Sequence, residues 1–201
     1  MVTEDRQLRR LETLMDVVYG ITIWRLFMLL PRPAGEELEL HTIGELFKDS
    51  GQSFAGIFIG IVIVIIYWKQ NNMLFKHLER TDSFHTTISI LQIFALLFFL
   101  YAMGISVRFE GLTGARLLES ITAMLVGITS YLGWRHAVKK NLNSAALPGS
   151  DAKKISFRIL AEPITAAITI PFAFQTPILW ELAWFVYPLV QKGLRKLIVA
   201  P

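Results

Sequence analysis

Apolar runs of bilayer length, separated by short polar stretches, recur six times along the 201 residues. The first covers residues 11–30 and stops at Pro31-Arg32-Pro33, because proline has no amide donor and restrains the residue before it. The second, 54–68, is the cleanest: no polar side chain interrupts it from Ile57 to Tyr67, and the helix is expected to continue through Phe75-Lys76-His77-Leu78. The third and fourth cover 86–104 and 115–134. After a polar link holding Pro148-Gly149-Ser150 come the fifth, 155–174, and the sixth, 178–189, joined tightly as a helical hairpin at Gln175-Thr176-Pro177. A span needs about 20 residues, so the pattern predicts an all-α, polytopic membrane protein. Its six transmembrane helices form one domain over 1–201.

Composition agrees. The chain is 53% hydrophobic with a mean hydropathy of +0.48, above the apolar share of ordinary soluble domains. The charged start (Glu4, Asp5, Arg6, Arg9, Arg10) and the Glu12, Asp16 and Arg25 within the first run do not fit a cleavable signal, which has a clean apolar middle. The first span is therefore read as retained. The absence of cysteine removes disulfides and thiolate metal sites.

The net charge of +4 is a matter of placement. Lysine and arginine are retained on the cytoplasmic side, while acidic residues count for little. Arg6, Arg9, Arg10, Lys69, Lys76, Arg80, Arg135, Lys139, Lys140, Lys153, Lys154, Arg158, Lys192, Arg195 and Lys196 all fall on one side, against Arg32, Lys48, Arg108 and Arg116 on the other. Both termini are thus expected to be cytoplasmic, in a multi-pass plasma-membrane protein. Nucleic-acid binding, which gathers basic residues on one face, is not expected. The acidic connection 34–52 carries Glu36, Glu37, Glu39, Glu45 and Asp49, and its Ile43, Leu46 and Phe47 suit a short amphipathic helix at the interface.

Ionisable groups inside a bilayer cost about 2.5–3.5 kcal/mol each on insertion scales and mark an interior or wet position. The first helix is the densest: Glu12 and Asp16 are four apart and share a face, Arg25 follows nine residues beyond Asp16, and Arg10 is within reach of Asp16. Glu119 and Glu181 fall near the non-cytoplasmic ends, where an interfacial role is expected, and Glu162 four residues after Arg158 suits an ion pair. Gly56 and Gly60 form a small-xxx-small pattern. The histidines His41, His77, His85 and His136 are scattered, without metal-ligand spacing. No phosphate loop or nucleophile elbow is present. No cofactor, no metal and no enzymatic activity are expected. No carbonyl-ring selectivity filter is readable, since Val18-Tyr19-Gly20 lies inside a helix.

Arg10-Leu11-Glu12-Thr13-Leu14-Met15-Asp16, then Val17 to Ile23, resembles the first-helix signature of the transmembrane-protein-175 family of endolysosomal-type potassium channels, in its half-length, six-helix prokaryotic form. Tyr67-Trp68, Leu74-Phe75-Lys76 and Glu79-Arg80-Thr81-Asp82 resemble the family's second-helix end and basic link. The resemblance implies a homotetrameric potassium-permeable cation channel whose first helices line a central pore, narrowed by bulky apolar side chains. By position the constriction falls at Ile21, with further levels at Trp24 or Arg25 and at Met28. Arg10, Asp16, Trp68 and Asn71 would form the structural motif that fixes the first helix.

Departures from the family pattern accompany the match. Leu14 and Met15 replace its Phe and Ser, Asn71 or Asn72 stands where histidine is usual, and Trp24-Arg25 replaces a small polar and an aliphatic residue. Four Arg25 charges would repel cations, so Arg25 is expected to turn toward Glu119 or Glu181. Otherwise the chain is a non-conducting or altered-selectivity member of the fold, or a membrane protein that binds a partner or lipid.

Overall fold

The computed structural model describes residues 2–32, 44, 48, 50–109 and 111–199. Among these, the regular elements are helices: α1 (Val2–Phe27), α2 (Gly51–Lys76), α3 (Ser83–Arg108), α4 (Thr113–Lys139), α5 (Gly149–Ile159), α6 (Ala161–Phe172), α7 (Pro177–Ala183) and α8 (Tyr187–Val199). A 3-10 turn at Trp184–Val186 joins the last two. By length and apolarity α2, α3, α4 and the α5–α6 pair can each cross a membrane. The interfacial helix expected around Ile43, Leu46 and Phe47 lies outside the described residues.

The ends of the rods follow from local chemistry. α1 begins in the charged N-terminal run because Leu8 and Leu11 already belong to its buried face, so the helix extends well ahead of the apolar stretch. The fifth rod is divided at Leu160, where Pro163 has no amide to offer the Ile159 carbonyl four residues back. Pro188 does the same to Trp184, and there the sixth rod tightens into its 3-10 turn.

α1 lies against α2 and α3, α3 packs most extensively on α4, and α4 on α6. Among the described glycines the tightest seat is at Gly127 of α4: a Cβ there would sit 2.5 Å from the Pro163 ring of α6. Gly60, singled out by spacing, faces only the flexible tip of Met103.

Inside hydrocarbon each polar group needs a partner within the protein, and single hydrogen bonds stitch the rods together. The Tyr67 hydroxyl donates to the Ala123 carbonyl at 2.7 Å, and Gln92 Nε2 to the Tyr19 hydroxyl at 2.9 Å. Thr169 and the Trp180 indole both donate to Ser120 Oγ, at 2.8 and 2.9 Å.

At the end where α2 and α4 finish, their following loops are zipped together. The Glu79 amide donates to the Leu142 carbonyl and the Ser144 amide to His77, around the bridge of Leu78 with Asn143. Asn141, at φ 52°, takes the left-handed turn that ends α4. Asp82 opens α3 by accepting from the His85 amide at 2.8 Å, and its other oxygen meets His136 Nε2 of α4 at 2.7 Å. Partial burial works to raise the Asp82 carboxyl, but the His85 amide and the His136 hydrogen bond and charge outweigh it and hold the group below its ordinary 3.8.

Two outcomes are expected. Gly127→Ala, which drives a methyl into a rigid ring, costs about 1–3 kcal/mol and lowers the thermal midpoint in detergent, whereas Gly60→Ala, met by a movable Met103, costs less; equal effects would refute the packing argument. Asp82→Asn keeps a capping acceptor but loses the charge. A depressed carboxyl contributes stability that is present above its unfolded value and lost as pH falls through its folded one. The wild type's margin over Asp82→Asn is therefore full near neutral pH and shrinks below 3.8, as melting curves across an acid series would register.

Candidate functional site

α1 has two unlike faces. Leu8, Leu11, Met15, Tyr19, Thr22 and Leu26 recur at intervals of three and four and are buried against α2 and α3. Leu14, Val17, Ile21, Trp24 and Met28 recur at the same intervals on the other side and stay exposed, Ile21 by 50% and Trp24 by 57%. Thr22 illustrates the division: it is fully buried with its hydroxyl returned to the Val18 carbonyl at 2.8 Å, one residue from the exposed Ile21.

The rotation of α1 is fixed by Asp16. Trp68 Nε1 of α2 donates to Asp16 Oδ1 at 3.0 Å. Asn72, with its amide turned to suit its neighbours, donates to the same oxygen at 3.0 Å and accepts from the Trp68 indole at 3.2 Å. Trp68 and Asn72 are four apart, hence on one helix face, while Asn71 points the other way, buried beside Leu74, His85 and Gln92. Of the two asparagines it is Asn72, not Asn71, that meets Asp16. Arg10 is exposed, and the described partners of Asp16 come from α2 rather than from Arg10.

Arg25 is also exposed and does not reach the acidic residues expected for it. It lines a groove between α1 and α3 with Leu29, Leu97, Tyr101 and Arg108. Glu119 and Glu181 instead share a cavity with Arg116 and Ser106, and Glu119 is not interfacial but 2% exposed. Helix direction explains the difference: Glu119 is on the inward face of α4, between Arg116 and Ala123, both buried.

Arg116, 4% exposed, closes the far end of α6. Its Nε and Nη2 donate to the Ala173 carbonyl at 3.2 and 3.0 Å, and Nη2 also reaches the Gln175 carbonyl and Thr113 Oγ1. These are among the carbonyls that a helix end leaves without internal partners.

Glu162 is not held by Arg158, which is exposed and makes no ion pair with it among the described residues. Tyr187 donates to Glu162 Oε1 at 3.0 Å. The Gln70 amide, oriented toward the carboxylate, donates to its two oxygens at 2.9 and 2.6 Å. Sequence reading missed Gln70 and Tyr187, and the contacts of Asn72 and Arg116, because their partners lie on distant segments. Their signal was their type: single polar residues at buried positions of otherwise apolar helices.

No curated protein sequence matches the chain. Two solved structures share its fold. One is described as a lysosomal potassium-selective channel TMEM175 homolog from Chamaesiphon Minutus; it has 16% identity and a TM-score of 0.71 over 97% of this chain and 100% of that one. The other is a single-substitution variant of the potassium channel MtTMEM175 in complex with a Nanobody-MBP fusion protein, with 15% identity and a TM-score of 0.64 over 94% and 92%. At such identities these matches establish the fold: an all-α, multi-pass membrane bundle. Residues 10–101, from the start of the Arg10 to Asp16 signature through most of α3, match the family described as endosomal/lysosomal potassium channel TMEM175. Over residues 10–101 the chain is similar to the TMEM175 family, and its fold is similar to that of both channel structures.

Proposed function

We propose that the chain forms a homotetrameric, potassium-permeable cation channel in the plasma membrane, its pore lined by the exposed stripe of α1 and narrowest at Ile21. The observation that carries this reading is that stripe. Leu14, Val17, Ile21, Trp24 and Met28 have no covering element among the described residues, and Asp16, anchored to Trp68 and Asn72, sets which way they face. The family match runs through this helix, and the lysine and arginine distribution supports cytoplasmic termini.

An apolar ring can gate by dewetting, and an ion crossing it must shed water. Potassium is less tightly hydrated than sodium, so the barrier favours potassium. Arg25 is exposed on the same side of α1 as Ile21 but lines the α1–α3 groove, and a side chain laid in that groove would keep its charge away from a passing cation. Trp24 motivates a second reading, a member whose pore is shut or altered in selectivity, because it is on the same exposed stripe one turn beyond Ile21.

A mass measurement in detergent is expected to give four copies per particle; a monomer would sink the pore. In liposomes the wild type passes potassium in preference to sodium, and Ile21→Asn, which wets the ring, raises flux severalfold and weakens that preference. Silence in both proteins would refute conduction. Conduction that appears only in Trp24→Ala would favour the second reading and move the constriction to Trp24.

A further inference from the structure

At the end of the bundle where α1 finishes and α2 begins, a half-open cavity of about 40 Å³ lies between α2, α3, α4 and α7. Ser53, Ser106, Glu119, Glu181 and Arg116 supply its polar lining. Glu119 is 2% exposed, and no protein group hydrogen-bonds its Oε1. Ser106 stands beside its carboxylate, and Glu181 is near enough for its charge to act on it. Glu181 also reaches α2, where its Oε1 sits 3.8 Å from the position a Cβ on Gly56 would take.

The charges in this cavity do not balance. Two carboxylates face one guanidinium, and the hydrogen bonds of Arg116 go to the Ala173 and Gln175 carbonyls and to Thr113. With both acids ionised, one negative charge is left over in a low-dielectric setting where an unpaired carboxylate is costly. The volume suits an ion with one or two waters. The lining offers hard oxygen donors, carboxylate and hydroxyl, of the kind that alkali and alkaline-earth cations take. Among the described residues no cluster of three or more His, Cys, Asp or Glu exists, so a transition metal has no ligand set here. The leftover single charge selects a monovalent ion over a divalent one.

We propose that this cavity is a binding site for one small monovalent cation, held by Glu119 and Glu181 with the Ser106 hydroxyl, and that its occupancy ties α4 and α7 to α2. The site lies within the subunit, against the buried face of the bundle, and does not use the α1 stripe. It therefore stands whether or not the chain conducts.

The test is thermal unfolding of the full chain in detergent at mildly alkaline pH and constant ionic strength, in sodium, potassium or N-methyl-D-glucamine chloride. Because an ion that binds only the folded state stabilises it by mass action, sodium or potassium is expected to raise the midpoint by several degrees over the bulky organic cation. That gap disappears in Glu119→Gln and in Glu181→Gln and persists in Ile21→Asn. If Glu119→Gln does not fold, Glu181→Gln and Ser106→Ala decide, both being less buried. An unchanged gap in the carboxyl variants overturns the proposal, as does the absence of any gap in the wild type. A midpoint that follows pH but not cation identity, with that pH response lost in Glu119→Gln, makes a proton the occupant and overturns it too. A gap produced by magnesium or calcium alone also overturns it.

Discussion

Hydrocarbon offers no hydrogen-bond partner, and this constraint sorts every polar side chain of the bundle into a small number of permitted situations. Gln92 finds Tyr19, Tyr67 finds a carbonyl, and Ser120 collects Thr169 and Trp180. Each bond joins helices far apart in sequence, so satisfying the polar groups and fixing the packing are one event. Between lipid chains and apolar side chains there is little hydrophobic preference, and these polar pairs, with the close seat of Pro163 on Gly127, do what a hydrophobic core does in water. Arg116 shows the same rule at a helix end, directing its donors to the carbonyls that follow α6.

The rods themselves were legible because length and apolarity are what a bilayer selects, and neither depends on what the helix touches. Their ends were less so. α1 begins early because Leu8 and Leu11 continue its buried stripe through a charged run, and the breaks at Leu160 and Trp184 arise from prolines three and four residues further on. The Asp16 signature was readable as a motif, yet its partner was not. Choosing between Asn71 and Asn72 requires the rotation of α2, and a shift of one residue moves a side chain by about 100°. Charge pairing was the least legible feature. Arg25 and Glu119 or Glu181 lie on separate packing surfaces, and Arg158 projects outward while Glu162 turns in toward Gln70 and Tyr187.

The two ends of the bundle differ in how they are tied. Where α2 and α4 finish, the loops share backbone hydrogen bonds, and Asp82 couples the start of α3 to His136. Those contacts are hydrogen bonds between segments far apart in the sequence. At the opposite end Arg116 ties the start of α4 to the carbonyls that follow α6, and Glu119 and Glu181 line the cavity beside it.

Asp16 then has a consequence for the whole of α1. A helix packed by one apolar stripe and free on the other could rotate, since lipid and neighbouring apolar side chains differ little as surroundings. Turning it by a single residue would bring Thr22 outward where Ile21 now stands, and would pull the Thr22 hydroxyl's neighbours out of register with α2 and α3. The bond from Trp68 to Asp16, doubled by Asn72, adds a directional contact that apolar packing lacks, because a carboxylate oxygen can meet both donors only at one angle of α1. In the proposed channel the identity of the narrowest ring is therefore set outside the pore, by a carboxylate that no permeating ion needs to touch.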